Sequence, residues 1–134
     1  AADYSRSLRL ADQLRLQMAE FYDRFDLLLL PCTAVSAWRH REPPTTIGSL
    51  DKGSSAGAKI GSELAGITYG AIPVTMAFNI SWNPAASIPC GFDSLGLPIG
   101  LQVVGDLTED ATVLRACHAY EQATEWSSNT PPIS

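Results

Sequence analysis

Apolar positions change their spacing several times along this chain, and each change marks an element. From residue 4 to 25, Leu10, Leu14, Met18, Phe21 and Phe25 recur at steps of three and four. That period puts them on one face of a helix. Arg9, Asp12, Arg15, Glu20 and Asp23 fall mostly off this face, so the helix is expected to pack on a core. Asp26 breaks the period. Leu27 to Leu30 is then a short continuous apolar run closed by Pro31. Such a run predicts a strand buried on both faces. The tight step from helix to strand suits an α/β protein. Ligands of such sheets gather beyond strand ends, which makes Pro31-Cys32-Thr33 a candidate site.

Residues 36 to 58 lose all period. They hold Pro43-Pro44, Thr45-Thr46 and the small-residue cluster Gly53 to Gly57, and predict a long loop, with a short helix near Ala58 to Leu64. Loops of this length tend to be lids or binding loops. Residues 67 to 82 match both helical and alternating spacing. Pro73 would suit a first helical turn, so helix is the reading taken. Ala85 to Cys90 and Ile99 to Val104 predict two strands. The link between them carries Gly91, Asp93, Gly96 and Pro98, which points to an antiparallel hairpin. Thr108 is the expected N-cap of a closing helix, with Glu109 and Asp110 at its positive end. That helix should run to about Glu125 and turn Val113, Leu114, Cys117, Tyr120 and Glu121 inward. Residues 127 to 134 read as a tail. The fold class is therefore α/β, a mixed β-sheet flanked by helices. Three strands are few for so much apolar sequence, and they suggest that neighbouring strands are supplied from elsewhere.

Composition narrows the function. Of 134 residues, 46% are hydrophobic, enough for a packed core, and the net charge is −5. No basic run exists to meet nucleic acid or an anionic membrane. No apolar stretch reaches the roughly 18 to 20 residues of a membrane span. The chain opens Ala1-Ala2-Asp3, with neither Met nor a signal-peptide pattern, and reads as truncated or processed. Cys32, Cys90 and Cys117 are too few and too scattered for a disulfide scaffold, so they are expected to be reduced core thiols of a cytoplasmic protein. His40 and His118 have no partners at metal-ligand spacing, so no metal is expected.

Two kinds of chemistry suggest themselves. Gly53-Ser54-Ser55-Ala56-Gly57 matches the G-x-S-x-G elbow of a serine hydrolase. Asp106 or Asp110, then His118, follow in the order of a triad with Ser55 as nucleophile and His118 as base. The context opposes it: an elbow needs a strand directly before the serine, and Thr45 to Lys52 is rich in turn formers. His118 also falls inside a predicted helix. His40 reads most simply as a solvated loop residue, and Glu121 either as a buried carboxylate with a partner or as a helix-surface residue. Asn79, Trp82 and Asn83 are a second focus. Amides beside an indole before Pro84 could line a pocket, or could satisfy turn backbone while Trp82 packs.

Longer strings carry a family resemblance. Asn79-Ile80-Ser81-Trp82-Asn83-Pro84-Ala85-Ala86-Ser87-Ile88-Pro89-Cys90-Gly91 is followed by Gly96-Leu97-Pro98-Ile99-Gly100-Leu101-Gln102-Val103-Val104-Gly105. This resembles the C-terminal segment of the amidase signature family, where N-x-x-G-x-P-A leads to an apolar strand ending Pro-x-Gly and then to G-L-P-x-G-x-Q. Asp26 to Thr33 resembles that family's D-x-L-L-x-P-T strand, and the helix after Glu109-Asp110 its last helix. The likeness runs from residue 15 to 126. Trp82 departs from the pattern by standing where the family usually has Gly.

The resemblance implies the C-terminal part of the amidase-signature fold, forming a single unit. It implies a hydrolase that converts small-molecule carboxamides to carboxylate plus ammonia or amine through a Ser–cis-Ser–Lys triad, with no metal or organic cofactor. The triad belongs to a Gly/Ser-rich block upstream of everything matched, so no residue of this chain is assigned as catalytic. Cys32, Thr33, Phe78, Asn79 and Trp82 are the implied pocket-lining residues. The expected partner is the remainder of an amidase chain, with self-association also possible through bare sheet surface and no role for nucleic acid or membrane. The chain alone is expected to be inactive. The alternative from another class is a non-catalytic interaction or dimerisation module.

Overall fold

The structure is a computed structural model that describes residues 2–39 and 73–129. The predicted loop beyond Arg39, the short helix near Ala58, and Ser54 and Ser55 lie outside the described residues.

Helix α1 spans Ala2–Tyr22. Its Leu, Ala, Arg and Gln content favours helix, and Asp3 sits in the first turn, where a negative charge meets the positive end. It stops short of the expected Phe25, with the Arg24 N–H donating to the Phe21 carbonyl at 3.1 Å. Its apolar stripe is a correction to the expected core helix. Leu14, Met18 and Phe21 are only half-buried and Leu10 is 59% exposed. The reason is that α1 packs chiefly on a second helix, α2 (Pro73–Ser81), and does not lie on the sheet. Pro73 occupies the first position of α2, where its missing N–H is not needed.

Strands β1 (Leu27–Pro31), β2 (Ala85–Phe92) and β3 (Pro98–Gly105) form an antiparallel sheet in the order β1-β3-β2. Central position decides burial. Gln102 to Gly105 of β3 are all buried, whereas β1 and β2 alternate. The expectation that the leucine run is buried on both faces is therefore corrected: Leu29 is 58% exposed, because β1 is one of the two edge strands of the described sheet. In β2 the alternation slips at a bulge between Pro89 and Gly91, which leaves Cys90 exposed. Cys90 is thus not a core thiol, while Cys32 and Cys117 are half-buried, and all three cysteines are free. Burial raises the Cys117 thiol above its ordinary pKa.

Helix α3 (Asp110–Gln122) covers one face of the sheet, against β3 and β2. Its N-cap is Glu109 and not Thr108, since Thr108 has φ 68°, outside the range a cap residue adopts. Val113 is the residue α3 buries; Cys117 and Tyr120 are half-buried. Leu114, at 65% exposure, and Glu121 point away from the sheet, contrary to expectation. Gly105 permits the contact: a Cβ there would stand 2.7 Å from Val113 Cγ2. Phe78, Val103, Val104 and Val113 form the buried apolar core. Each fully buried side chain of this kind is worth about 1.5–3 kcal/mol. A 3-10 turn, Trp126–Ser128, structures the start of the predicted tail and sets Trp126 against Phe92, ring centroids 5.1 Å apart.

Candidate functional site

By the two-residue period of β3, Gly100, Gln102 and Val104 share the face opposite α3. On that face the register sets Ser87 directly across from Gln102. Cys32 joins the same corner, its N–H donating to the Gly100 carbonyl at 2.9 Å. Gly100 is what admits this crossing, because a Cβ there would meet Ser87 Oγ at 2.8 Å and Cys32 Cβ at 3.0 Å. Helix α2 approaches from above, tied down where Gln102 Nε2 donates to the Val74 carbonyl at 3.5 Å.

Between α2 and this corner lies a cleft of about 360 Å³. Thr75, Phe78 and Asn79 of α2 form one wall, and Cys32, Ser87 and Gln102 the floor. Asn83, Ala85 and Ala86 close one end. Asn83 is brought there by a sharp stop to α2. The Trp82 N–H donates to the Phe78 carbonyl at 2.8 Å, Trp82 itself takes φ 67°, and Pro84 keeps Asn83 out of helix. The Asn83 amide is buried. Its Nδ2 donates to the Gly105 carbonyl at 2.8 Å, and its Oδ1 meets no donor among the described residues.

Of the five implied pocket residues, Cys32, Phe78 and Asn79 line the cleft. Thr33 does not; it is exposed and its hydroxyl donates to the Val35 carbonyl at 2.7 Å. Trp82 does not either. It is 70% exposed, and the Arg15 guanidinium lies 4.0 Å from its ring centroid. The Arg15 group also contacts Asp12 at 2.7 Å and donates to the Ile80 carbonyl at 3.1 Å, clamping α1 to the end of α2. Thr75, Ser87 and Gln102 were missed from sequence. Their signal was a polar residue set inside an apolar run.

The described residues of the serine-triad reading, Asp106, Asp110 and His118, do not line the cleft. His118 is mid-helix, and its exposed Nδ1 is 3.8 Å from a Glu121 carboxylate oxygen one turn on. Asp106 accepts the Leu107 N–H at 2.7 Å, and Asp110 occupies the first turn of α3. Tyr22, near Asp106, has a buried hydroxyl without a partner among the described residues; burial first, then the Asp106 charge, push it up to about 12. Among the described residues no group of three His, Cys, Asp or Glu side chains could hold a metal ion. No described helix is long and apolar enough to cross a membrane.

A helix-flanked α/β sheet with a cleft at the G-L-P-x-G-x-Q strand is a piece of the amidase-signature architecture. The amidase family profile matches residues 1–114, and the chain belongs to that family. It is 30% identical over 132 residues to a glutamyl-tRNA(Gln) amidotransferase subunit of Thermosynechococcus vestitus, covering 98% of this chain and 24% of that protein. The corresponding protein of Microcystis aeruginosa is 33% identical over 128 residues, covering 92% of this chain and 23% of that protein. Among solved structures, a bacterial aryl acylamidase of the amidase signature family superposes with TM-score 0.72 at 31% identity, covering 92% of this chain and 23% of that one. 6-Aminohexanoate cyclic dimer hydrolase superposes with TM-score 0.60 at 29% identity, covering 93% of this chain and 24% of that one. The chain thus spans about a quarter of the length of the proteins it matches.

Proposed function

We propose that this chain is the C-terminal portion of an amidase that hydrolyses a small carboxamide to a carboxylate and ammonia or an amine. It supplies core strands and one wall of the substrate pocket. The Ser–cis-Ser–Lys triad comes from the larger part of the enzyme, to which this chain is joined or docked. The observation that carries the reading is the cleft itself: it is built at the Asn79-to-Gly91 and Gly96-to-Gly105 strings that mark the family, and Phe78, Asn79, Ser87 and Gln102 all face it. The solved relatives named as an acylamidase and a cyclic dimer hydrolase point to amide hydrolysis.

In the test, the purified chain is offered a panel of carboxamides and anilides and release of ammonia or amine is followed. No turnover is expected. Turnover that disappears in Ser55→Ala would sink the proposal and establish a triad within this chain instead.

One observation favours a second reading, an interaction module without catalysis. Tyr4, Leu8, Leu10 and Leu16 of α1 are 49–70% exposed and Leu29 of the sheet edge is 58% exposed. Surface of that kind tends to be covered by another chain.

A further inference from the structure

The floor and the wall of the cleft are held in different ways. The floor is strand, and pairing of β2 with β3 fixes Ser87 and Gln102. The wall is α2, which among the described elements packs most on α1 and less on any strand. At its first turn the sheet reaches it through Gln102 Nε2, which donates to the Val74 carbonyl at 3.5 Å, a long hydrogen bond. Phe78, buried in the core, fixes its middle. Its last turn carries Asn79, which lines the cleft, and Ile80. The final carbonyls of a helix have no N–H of their own helix to meet. A glycine in the left-handed conformation just past the helix is the common way to end such a turn. Here that position is Trp82, with φ 67°.

Arg15 of α1 supplies what the turn lacks. Its guanidinium donates to the Ile80 carbonyl at 3.1 Å, and it lies 4.0 Å from the Trp82 ring centroid. Asp12, one turn earlier on α1, holds the same group at 2.7 Å. A positive charge there also meets the partly negative end of α2. One planar fork makes these contacts together, which an ammonium cannot do. We propose that Arg15 is a positioning residue for the cleft: it caps α2 from a neighbouring helix and, with Trp82, keeps the last turn wound so that Asn79 stays on the wall. A pair of side chains outside the cleft thereby sets how open the cleft is. Positions 15 and 82 act as one unit, because a glycine at 82 takes the left-handed turn unaided and frees Arg15 from the task. That the cleft is a substrate pocket rests on the amidase reading. The clamp does not, and its test reads no turnover, so either can fail without the other.

The three cysteines report on the clamp. Cys32 lies in the cleft floor, Cys117 is half-buried on α3 and Cys90 is exposed on β2. The purified chain, held well below its unfolding temperature, is treated with N-ethylmaleimide, and alkylation of each cysteine is timed by peptide mass spectrometry. Arg15→Met is expected to speed Cys32 several-fold relative to Cys90 and to leave Cys117 unchanged. The side-chain NH2 signals of Asn79, followed by NMR, should move in the same variant. Arg15→Lys, which keeps the charge and one bond to the Ile80 carbonyl, should fall between the two. In a Trp82→Gly background the effect of Arg15→Met on Cys32 should largely disappear. If the methionine variant does not fold, the lysine variant against the unaltered chain decides, with faster Cys32 and unchanged Cys117 expected. Unchanged Cys32 rates and Asn79 signals in the Arg15 variants overturn the proposal. So does equal acceleration of Cys32 and Cys117, which marks a general loosening, and so does an undiminished effect of Arg15→Met beside Gly at 82.

Discussion

Trp82 is the residue at which this chain departs most clearly from its family's pattern. Its φ of 67° explains why glycine is usual there, since a left-handed conformation costs a side-chain-bearing residue about 1–2 kcal/mol. Arg15 over the indole offsets part of that, by about 0.5–1 kcal/mol for an exposed cation–π pair. The two effects are separable. Trp82→Ala keeps the backbone cost and loses the stacking, whereas Trp82→Gly loses the stacking and the cost together. Urea denaturation should therefore find Trp82→Gly more stable than Trp82→Ala by about 1 kcal/mol. An alanine variant as stable as the glycine variant would mean that the backbone at 82 is not strained. The sequence showed that a bulky residue stood in glycine's place, but it suggested a pocket wall. The direction of the indole depends on Arg15, far away in the chain on another helix, and no local pattern encodes that meeting. Cys32, Phe78 and Asn79 were expected at a pocket from the family resemblance, and they line the cleft. Ser87 and Gln102 were not, because which polar strand residues stand opposite one another on the cleft face becomes visible only once the cross-strand register is known.

At the scale of elements, the hairpin was the most legible part, and its loop is held by one carboxylate. Asp93 Oδ1 accepts the Leu95 N–H at 2.8 Å and the Leu97 N–H at 2.9 Å, and Gly96 supplies the φ of 77° that the turn requires. The backbone bond from Leu97 leads the causes that hold the Asp93 carboxyl below its ordinary 3.8. A carboxyl lowered in the folded state stabilises the fold above its unfolded pKa, and that contribution fades as pH falls through the folded value. The hairpin's protection should accordingly be constant from neutral pH down to about 4 and weaken below it. In Asp93→Asn, which keeps an acceptor oxygen but cannot titrate, this part of the acid sensitivity should vanish. Amide hydrogen exchange at Leu95 and Leu97 across that range measures it; equal acid sensitivity in both proteins would assign the effect to another group. The helices were less legible than the strands. The period of α1 identified its residues correctly but not its neighbour, since a stripe facing α2 and a stripe facing the sheet have the same spacing. The leucine run likewise cannot announce whether its strand will be central or at an edge.

For the whole molecule, the described parts form a layered unit in which α3 covers one sheet face and α2, braced by α1, overhangs the other. Its buried apolar set is small, and several large apolar side chains of α1 and β1 are open to solvent. In the amidase proposal that surface and the cleft belong together: both complete a larger amidase body, one as a docking face and the other as a share of the pocket. The family was legible from the strings around Asn79 and Gln102, where the glycines at 100 and 105 leave room for the close approach of the Ser87, Cys32 and Val113 side chains. The most direct test is to fractionate the source of this chain for carboxamide hydrolysis and to measure the intact mass of the active species that contains these residues. Activity is expected in a species about four times the length of this chain, as its coverage of 23–24% of its relatives implies, and none in a species of this chain's own mass. Amide hydrolysis by the chain at its own mass, with no further polypeptide present, would contradict the proposal.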